Sequence, residues 1–175
     1  MKDQVAVLYG PKGGNTEKVA TLISKKIGTD KSVLIPVTEV EEHTLDGFSK
    51  LIIGSSTIGT HTWAQENTSH DWDEFLPKFR KIDLKGKKIA IFGLGDQIAY
   101  TNHFVDHMRI IFDVVVENHG EVIGSWPTDG YEFNESASII DKKFIGLPID
   151  EDFQDELTEQ RIEHWVKEIV NDFGK

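Results

Sequence analysis

Apolar positions fall into two rhythms along this chain. Val5-Ala6-Val7-Leu8-Tyr9 is a short continuous apolar run; a Gly/Pro turn follows, and then Val19, Ala20, Ile23 and Ile27 recur at helical spacing over residues 16–27. Strand, loop and helix are predicted, and the unit repeats. Further strands are predicted at 32–36, 50–54, 88–93 and 121–125, helices at 72–79, 104–119 and 158–173, and a short segment at 44–48. Leu51-Ile52-Ile53 and Ile89-Ala90-Ile91-Phe92 are apolar at successive positions, as suits parallel strands covered on both faces. The expected fold class is therefore α/β, a doubly wound five-stranded parallel sheet between helices, in one domain spanning 1–175. Between 127 and 152 the pattern breaks into Gly, aromatic and acidic residues with one more apolar run at 143–147, which reads as an excursion before the last helix. Thr158 is the candidate N-cap of that helix, with Glu159 placing an acid in its first turn.

In such sheets a ligand sits beyond the carboxyl ends of the strands, where strand order reverses. That directs attention to the loops at 10–16, 55–71 and 93–103. The first reads Gly10-Pro11-Lys12-Gly13-Gly14-Asn15-Thr16 and feeds a helix, so its N–H groups can cradle a phosphate. It has neither the Walker ending nor the dinucleotide fingerprint, which argues against a nucleotide triphosphatase. A glycine-rich connection with Asn15 or Thr16 merely capping the helix is the bland alternative. The third loop has Gly93 and Gly95 to admit a planar ligand closely, and Tyr100 to stack on it.

Composition narrows the chemistry. Lys and Arg total 19 against 30 Asp and Glu, a formal net charge of -11, which repels nucleic acid and anionic membranes and favours partners with a basic docking face. The absence of cysteine excludes disulfides, thiolate metal sites and thiol nucleophiles, so redox chemistry would need a bound organic cofactor. With no signal pattern after Met1 and no apolar run of membrane-spanning length, the expected setting is cytoplasmic. His103 and His107 stand four apart on a predicted helix, but no third ligand joins them, and a solvated helix face is the simpler reading; no metal site is expected. The acidic run from Asp150 to Glu156 likewise reads as a solvated stretch.

Gly93-Leu94-Gly95-Asp96-Gln97-Ile98-Ala99-Tyr100 resembles the flavodoxin loop that embraces the isoalloxazine ring. Trp126-Pro127-Thr128-Asp129-Gly130-Tyr131-Glu132-Phe133 and Phe144-Ile145-Gly146-Leu147-Pro148-Ile149-Asp150-Glu151-Asp152 resemble the insertion and last strand of long-chain flavodoxins. Leu157-Thr158, Arg161-Ile162 and Trp165-Val166 are similar to their final helix. The resemblance implies a flavodoxin-like three-layer sandwich with a long-chain insertion in the last strand. It also implies non-covalently bound FMN. The function implied is low-potential one-electron transfer on the semiquinone/hydroquinone couple, by a monomeric carrier that is not itself an enzyme. The implied partners are ferredoxin/flavodoxin reductases and other oxidoreductases.

Carried over by position, the resemblance gives Asn15 and Thr16, with the amides of Pro11-to-Gly14 loop residues Lys12, Gly13 and Gly14, to the FMN phosphate. Ser56, Thr57, Ile58, Gly59 and Thr60 fall to the second flavin loop, where a peptide at Gly59-Thr60 flips on one-electron reduction to accept a hydrogen bond from the flavin. Gly93, Leu94, Gly95, Asp96, Tyr100 and His103 form the third loop. Gly95 and Asp96 meet the pyrimidine edge there, Tyr100 stacks on the ring, and Asp152 approaches the ribityl chain. Two departures stand out. Pro11 and Gly13 replace the family's usual hydroxyl residues, with Lys12 either compensating at the phosphate or pointing to solvent; and Ile58 takes the place of a common Trp, so that either Ile58 or Trp63 covers the inner ring face. An NAD(P)H-dependent quinone or FMN reductase on a similar fold is the alternative function, disfavoured by the charge and by the lack of a basic cluster for a dinucleotide phosphate.

Overall fold

Alternate residues of the first strand enter two different cores. The structure, a computed structural model, describes residues 2–57 and 70–175. Strand β1 (Lys2–Tyr9) sends Ala6 and Leu8 to one face of the sheet and Val5, Val7 and Tyr9 to the other, all buried. Helix α1 (Asn15–Ile27) follows, then β2 (Ser32–Pro36), β3 (Phe48–Ser56), α2 (His70–Phe79), β4 (Lys88–Leu94) and α3 (His107–Glu117). The helices sort by face: α2 and α3 bring Trp72, Phe75, Phe79, Met108, Ile111 and Val114 to the core that takes Ala6 and Leu8. On the other face α1 contributes Val19, Ala20 and Ile23, and the last helix, α4 (Asp155–Phe173), contributes Ile162, Trp165, Val166 and Ile169. Burying both faces of β3 and β4 this way makes their runs of successive apolar residues stable only inside a three-layer sandwich.

The strands run parallel in the order β2-β1-β3-β4-β5, where β5 is Glu121–Ile123. Chain order therefore reverses at β1, between β2 and β3, and the loops after β1 and β3 open at that reversal. The last strand position is shared by two pieces. β5 pairs with Lys88 to Ala90 of β4, and β9 (Leu147–Ile149) pairs with Phe92 to Leu94. Between the two pieces, residues 124–146 leave the sheet and build a small antiparallel one of their own, from β6 (Trp126–Pro127), β7 (Ile139–Ile140) and β8 (Lys143–Phe144). Two glycines bracket this insertion. Gly124 exits at φ 79° with its carbonyl accepting from the Trp165 indole at 2.8 Å, and Gly146 re-enters where a Cβ would lie 2.1 Å from the Ile91 carbonyl oxygen.

Three differences from the sequence expectation stand out among the element boundaries. The helix predicted from 104 begins at His107, because the amide of Phe104 donates to the Glu135 carbonyl and the Val105 carbonyl accepts from the Ser138 hydroxyl. The last helix begins at Asp155 behind Gln154, so Thr158 lies within its first turns, and its hydroxyl donates to Glu151 instead of capping. Residues 44–47 are turn, and Phe48 already belongs to β3.

Candidate functional site

Three loops converge at the carboxyl ends of β1, β3 and β4. In the first, a Gly10 Cβ would meet Val37 Cγ2 at 2.6 Å and the Trp72 indole nitrogen at 3.1 Å, so the chain passes here only as glycine. The buried Trp72 indole donates to the Gly10 carbonyl at 3.0 Å, and Asp71, beside it at the start of α2, accepts from the Lys12 amide at 3.0 Å. Gly13, at φ 88°, gives its N–H to Glu17 at 2.5 Å. The other Glu17 oxygen accepts from Tyr9, whose phenol is pushed up to about 12 by burial first and Glu17 second. The Gly10-Pro11 bond is cis.

Helix α1 opens at Asn15 with Gly14 as its N-cap and no side chain capping its first turn. Asn15 and Thr16 therefore do not serve as caps. An uncapped helix N-terminus leaves N–H donors and the positive end of the dipole facing out of the fold. Lys12 extends to Glu39 at 3.2 Å with both side chains more than half exposed, an ion pair of negligible strength.

From the second loop, Thr57 donates its amide to the Leu94 carbonyl at 3.0 Å, and its hydroxyl accepts from the His107 amide at 3.2 Å. Ile58, Gly59, Thr60 and Trp63 lie outside the described residues. In the third loop Gly95 donates to the Ile149 carbonyl at 3.0 Å, and Asp96 Oδ1 accepts from the amides of Ile98 and Ala99, winding 96–100 into a tight turn that presents a half-buried Tyr100. His103 precedes α3 and pairs with Asp106 at 3.0 Å, while His107 is buried edge-on against Trp72 at 5.3 Å. The two histidines do not share a solvated helix face, which corrects the sequence reading.

Between these loops lies a cavity of about 180 Å³. Its walls are Pro11, Asn15 and Thr16 of the first loop, Ser56 at the end of β3, Leu94 and Gly95 at the end of β4, and Glu151 and Asp152 just after β9. One end is the open helix terminus, apt for a phosphate; the other is a glycine-floored slot with Tyr100 close by in sequence. This donor set fits a flat, phosphorylated ligand. Larger hollows, such as one of about 460 Å³ beside Phe112 and Lys143, lie away from the ends of β1, β3 and β4 and carry none of this chemistry.

The comparisons with known proteins agree with this geometry. The family model described as Flavodoxin matches residues 7–165. The chain belongs to the flavodoxin family. A flavodoxin of Buchnera aphidicola is 39% identical over 172 residues, 98% of each chain, and one of Synechocystis is 40% identical over 167 residues, 95% of each. Among solved structures, a Fusobacterium nucleatum flavodoxin bound to flavin mononucleotide superposes with a TM-score of 0.86 at 30% identity, covering 97% of this chain and 98% of that one.

Within this flavodoxin, the acidic run after β9 is solvated at Asp152, Asp155 and Glu156, as its composition suggests, but not at its start. Asp150 is fully buried, and the Glu151 side chain, also nearly buried, is held by Lys18 at 2.9 Å and by Thr158. Asp152 does face water and the cavity. Its carboxyl is raised above the usual range by partial desolvation first, then by Asp96, Asp150 and Glu151. A raised folded value means that the charged form is the disfavoured one, so stability is lost as pH rises through that value. Asp152→Asn is therefore expected to raise the melting temperature at pH 7, with the gain vanishing below about pH 4, where Asp is protonated in both states. A melting series across that range checks this.

Sequence reasoning missed Trp72, Asp71 and Glu17 as supports of the first loop, and Gln97 and Asp150 behind the third. For Trp72 one signal was present: a buried indole N–H needs an acceptor, and this one stands at the start of a helix leading from a flavin loop.

Proposed function

We propose that this chain is a one-electron carrier that holds FMN non-covalently between its three loops and passes electrons between larger redox proteins. The observation that carries the reading is the single cavity joining the uncapped start of α1 to the glycine-floored end of β4, in a family where a 30%-identical structure holds FMN. Thr16, Asn15 and the first-turn amides would take the phosphate, Gly95 and Asp96 the ring edge through their backbone, Tyr100 a ring face, and Asp152 the ribityl side. FMN supplies the redox chemistry; the protein supplies binding, orientation and field.

That field is negative. Asp96, Glu151 and Asp152 gather at the cavity, and a net charge of -11 surrounds it, which opposes added negative charge on a ligand there and favours a low potential. The same charge supports docking to basic faces, as on ferredoxin/flavodoxin reductases and other oxidoreductases. A monomer of one domain acting in the cytoplasm suits this role, and among the described residues no helix is long and apolar enough to cross a membrane. The interruption of the last strand by 124–146 supports the long-chain subtype.

Stepwise dithionite reduction of the FMN-loaded protein is expected to give a broad long-wavelength band that peaks at half-reduction, with negligible NAD(P)H oxidation when no partner enzyme is present. Direct passage to the two-electron-reduced flavin, or rapid NAD(P)H oxidation by the protein alone, would move the assignment to a reductase.

A further inference from the structure

Beyond the backbone bond from Gly95 to Ile149, both walls of the ring end of the cavity are tied to one carboxylate. Asp150, fully buried, follows β9 directly. Its Oδ2 accepts from the Gln97 backbone amide at 3.2 Å and from the Gln97 side-chain amide at 2.8 Å. Its Oδ1 accepts from the backbone amides of Asp152 and Phe153, each at 2.9 Å. Those N–H groups fill the acceptor sites that a carboxylate has, and no Lys, Arg or His among the described residues pairs with it. Gln97 is itself buried, and its carbonyl oxygen takes the Glu132 amide from the insertion. Gln97 stands two residues beyond Gly95, and Asp152 two beyond Asp150, and both Gly95 and Asp152 line the cavity.

We infer that Asp150 is the positioning residue for the ring and ribityl end of the FMN site. It touches no ligand itself; past the last β4–β9 backbone bond it holds the third loop at Gln97 against the 151–153 turn, and through that sets the width of the slot. This rests on the FMN reading above and goes beyond it by assigning the slot's geometry to a residue outside the cavity lining. No neighbouring side chain can take over the task. An Asn here keeps the size but offers one acceptor oxygen and turns an NH2 group toward N–H donors, so one of the two walls must lose its anchor.

The test is fluorescence titration of apoprotein with FMN and, separately, with riboflavin, which lacks the phosphate. Asp150→Asn is expected to weaken both by a similar factor, roughly 10- to 100-fold, since the fault lies at the end that they share. In the apoprotein, amide exchange at Gln97, Asp152 and Phe153 should quicken while that of Val7 and Val19 holds. Gln97→Met provides a milder variant if Asp150→Asn does not fold; it removes the side-chain arm to Asp150 and the acceptor of the Glu132 amide, keeps the backbone arm, and should weaken both ligands by several-fold. A residue that only stabilises the fold would lower the melting temperature and leave both affinities unchanged well below it, and that result overturns the inference. Loss confined to FMN would also overturn it, because the phosphate end would then be what Asp150 supports. Failure of the unmutated protein to bind either flavin would sink the FMN reading instead.

Discussion

Gly146→Ala is expected to lower the melting temperature by about 10 °C. The added Cβ would stand 2.1 Å from the Ile91 carbonyl oxygen and 2.8 Å from its carbon, and both are backbone atoms. A flexible side chain can swing away; a strand cannot. Ile91 lies at the centre of β4, pairs with Ile53 of β3 and is wholly buried, so relief requires either β4 to bend or the chain to re-enter the sheet elsewhere. Overpacking of a well-filled core costs about 1–3 kcal/mol and more where backbone must move. At roughly 2–4 °C per kcal/mol for a chain of this size, that gives the expected shift. Thermal unfolding followed by circular dichroism is the measurement, and a melting temperature within about 2 °C of the parent would show that the return of the chain beside Ile91 is looser than described.

Thr16→Val should separate the two ends of the ligand site. Thr16 is buried, lines the cavity and sits in the first turn of α1, and Val matches its shape without the hydroxyl. A hydrogen bond to a charged group contributes about 1.5–3 kcal/mol, and each 1.4 kcal/mol is tenfold in affinity, so FMN binding should weaken by roughly 10- to 100-fold. Riboflavin should bind as before. Equal loss for both ligands would place the Thr16 hydroxyl in the architecture of the loop and leave the phosphate to the amides alone.

The sheet was legible because its physics is local. Strands buried on both faces must be apolar at successive positions, and Leu51-Ile52-Ile53 and Ile89-Ala90-Ile91-Phe92 are. The point where strand order reverses, and with it the loops after β1, β3 and β4, followed from the alternation of strands and helices. The insertion was visible as a break in rhythm between 127 and 152, and its three-stranded sheet was not, since Gly124 is explained by Ile169 and Trp165 and Gly146 by Ile91, all remote in the chain.

The misreadings share that cause. Phe104, Val105 and Met108 have helical spacing, yet backbone groups of the first two are claimed by Glu135 and Ser138 of the insertion. Asp150 carries a residue type that ordinarily seeks water, and its burial is made possible by N–H donors of Gln97, more than fifty positions upstream. In each case the deciding partner is distant in sequence, and composition holds no trace of it.

The division of the last strand also orders events during synthesis. A sheet of β1 to β5 can form once Ile123 is made, with two hydrophobic faces already partly filled. The cavity's far wall waits for β9, whose pairing to Phe92, Gly93 and Leu94 requires the loop from Ile123 to Leu147 to close first, a step opposed by chain entropy. A chain with β1 to β5 paired therefore still lacks the wall that Glu151 and Asp152 give the cavity, and retention of a ligand there would wait on the docking of β9.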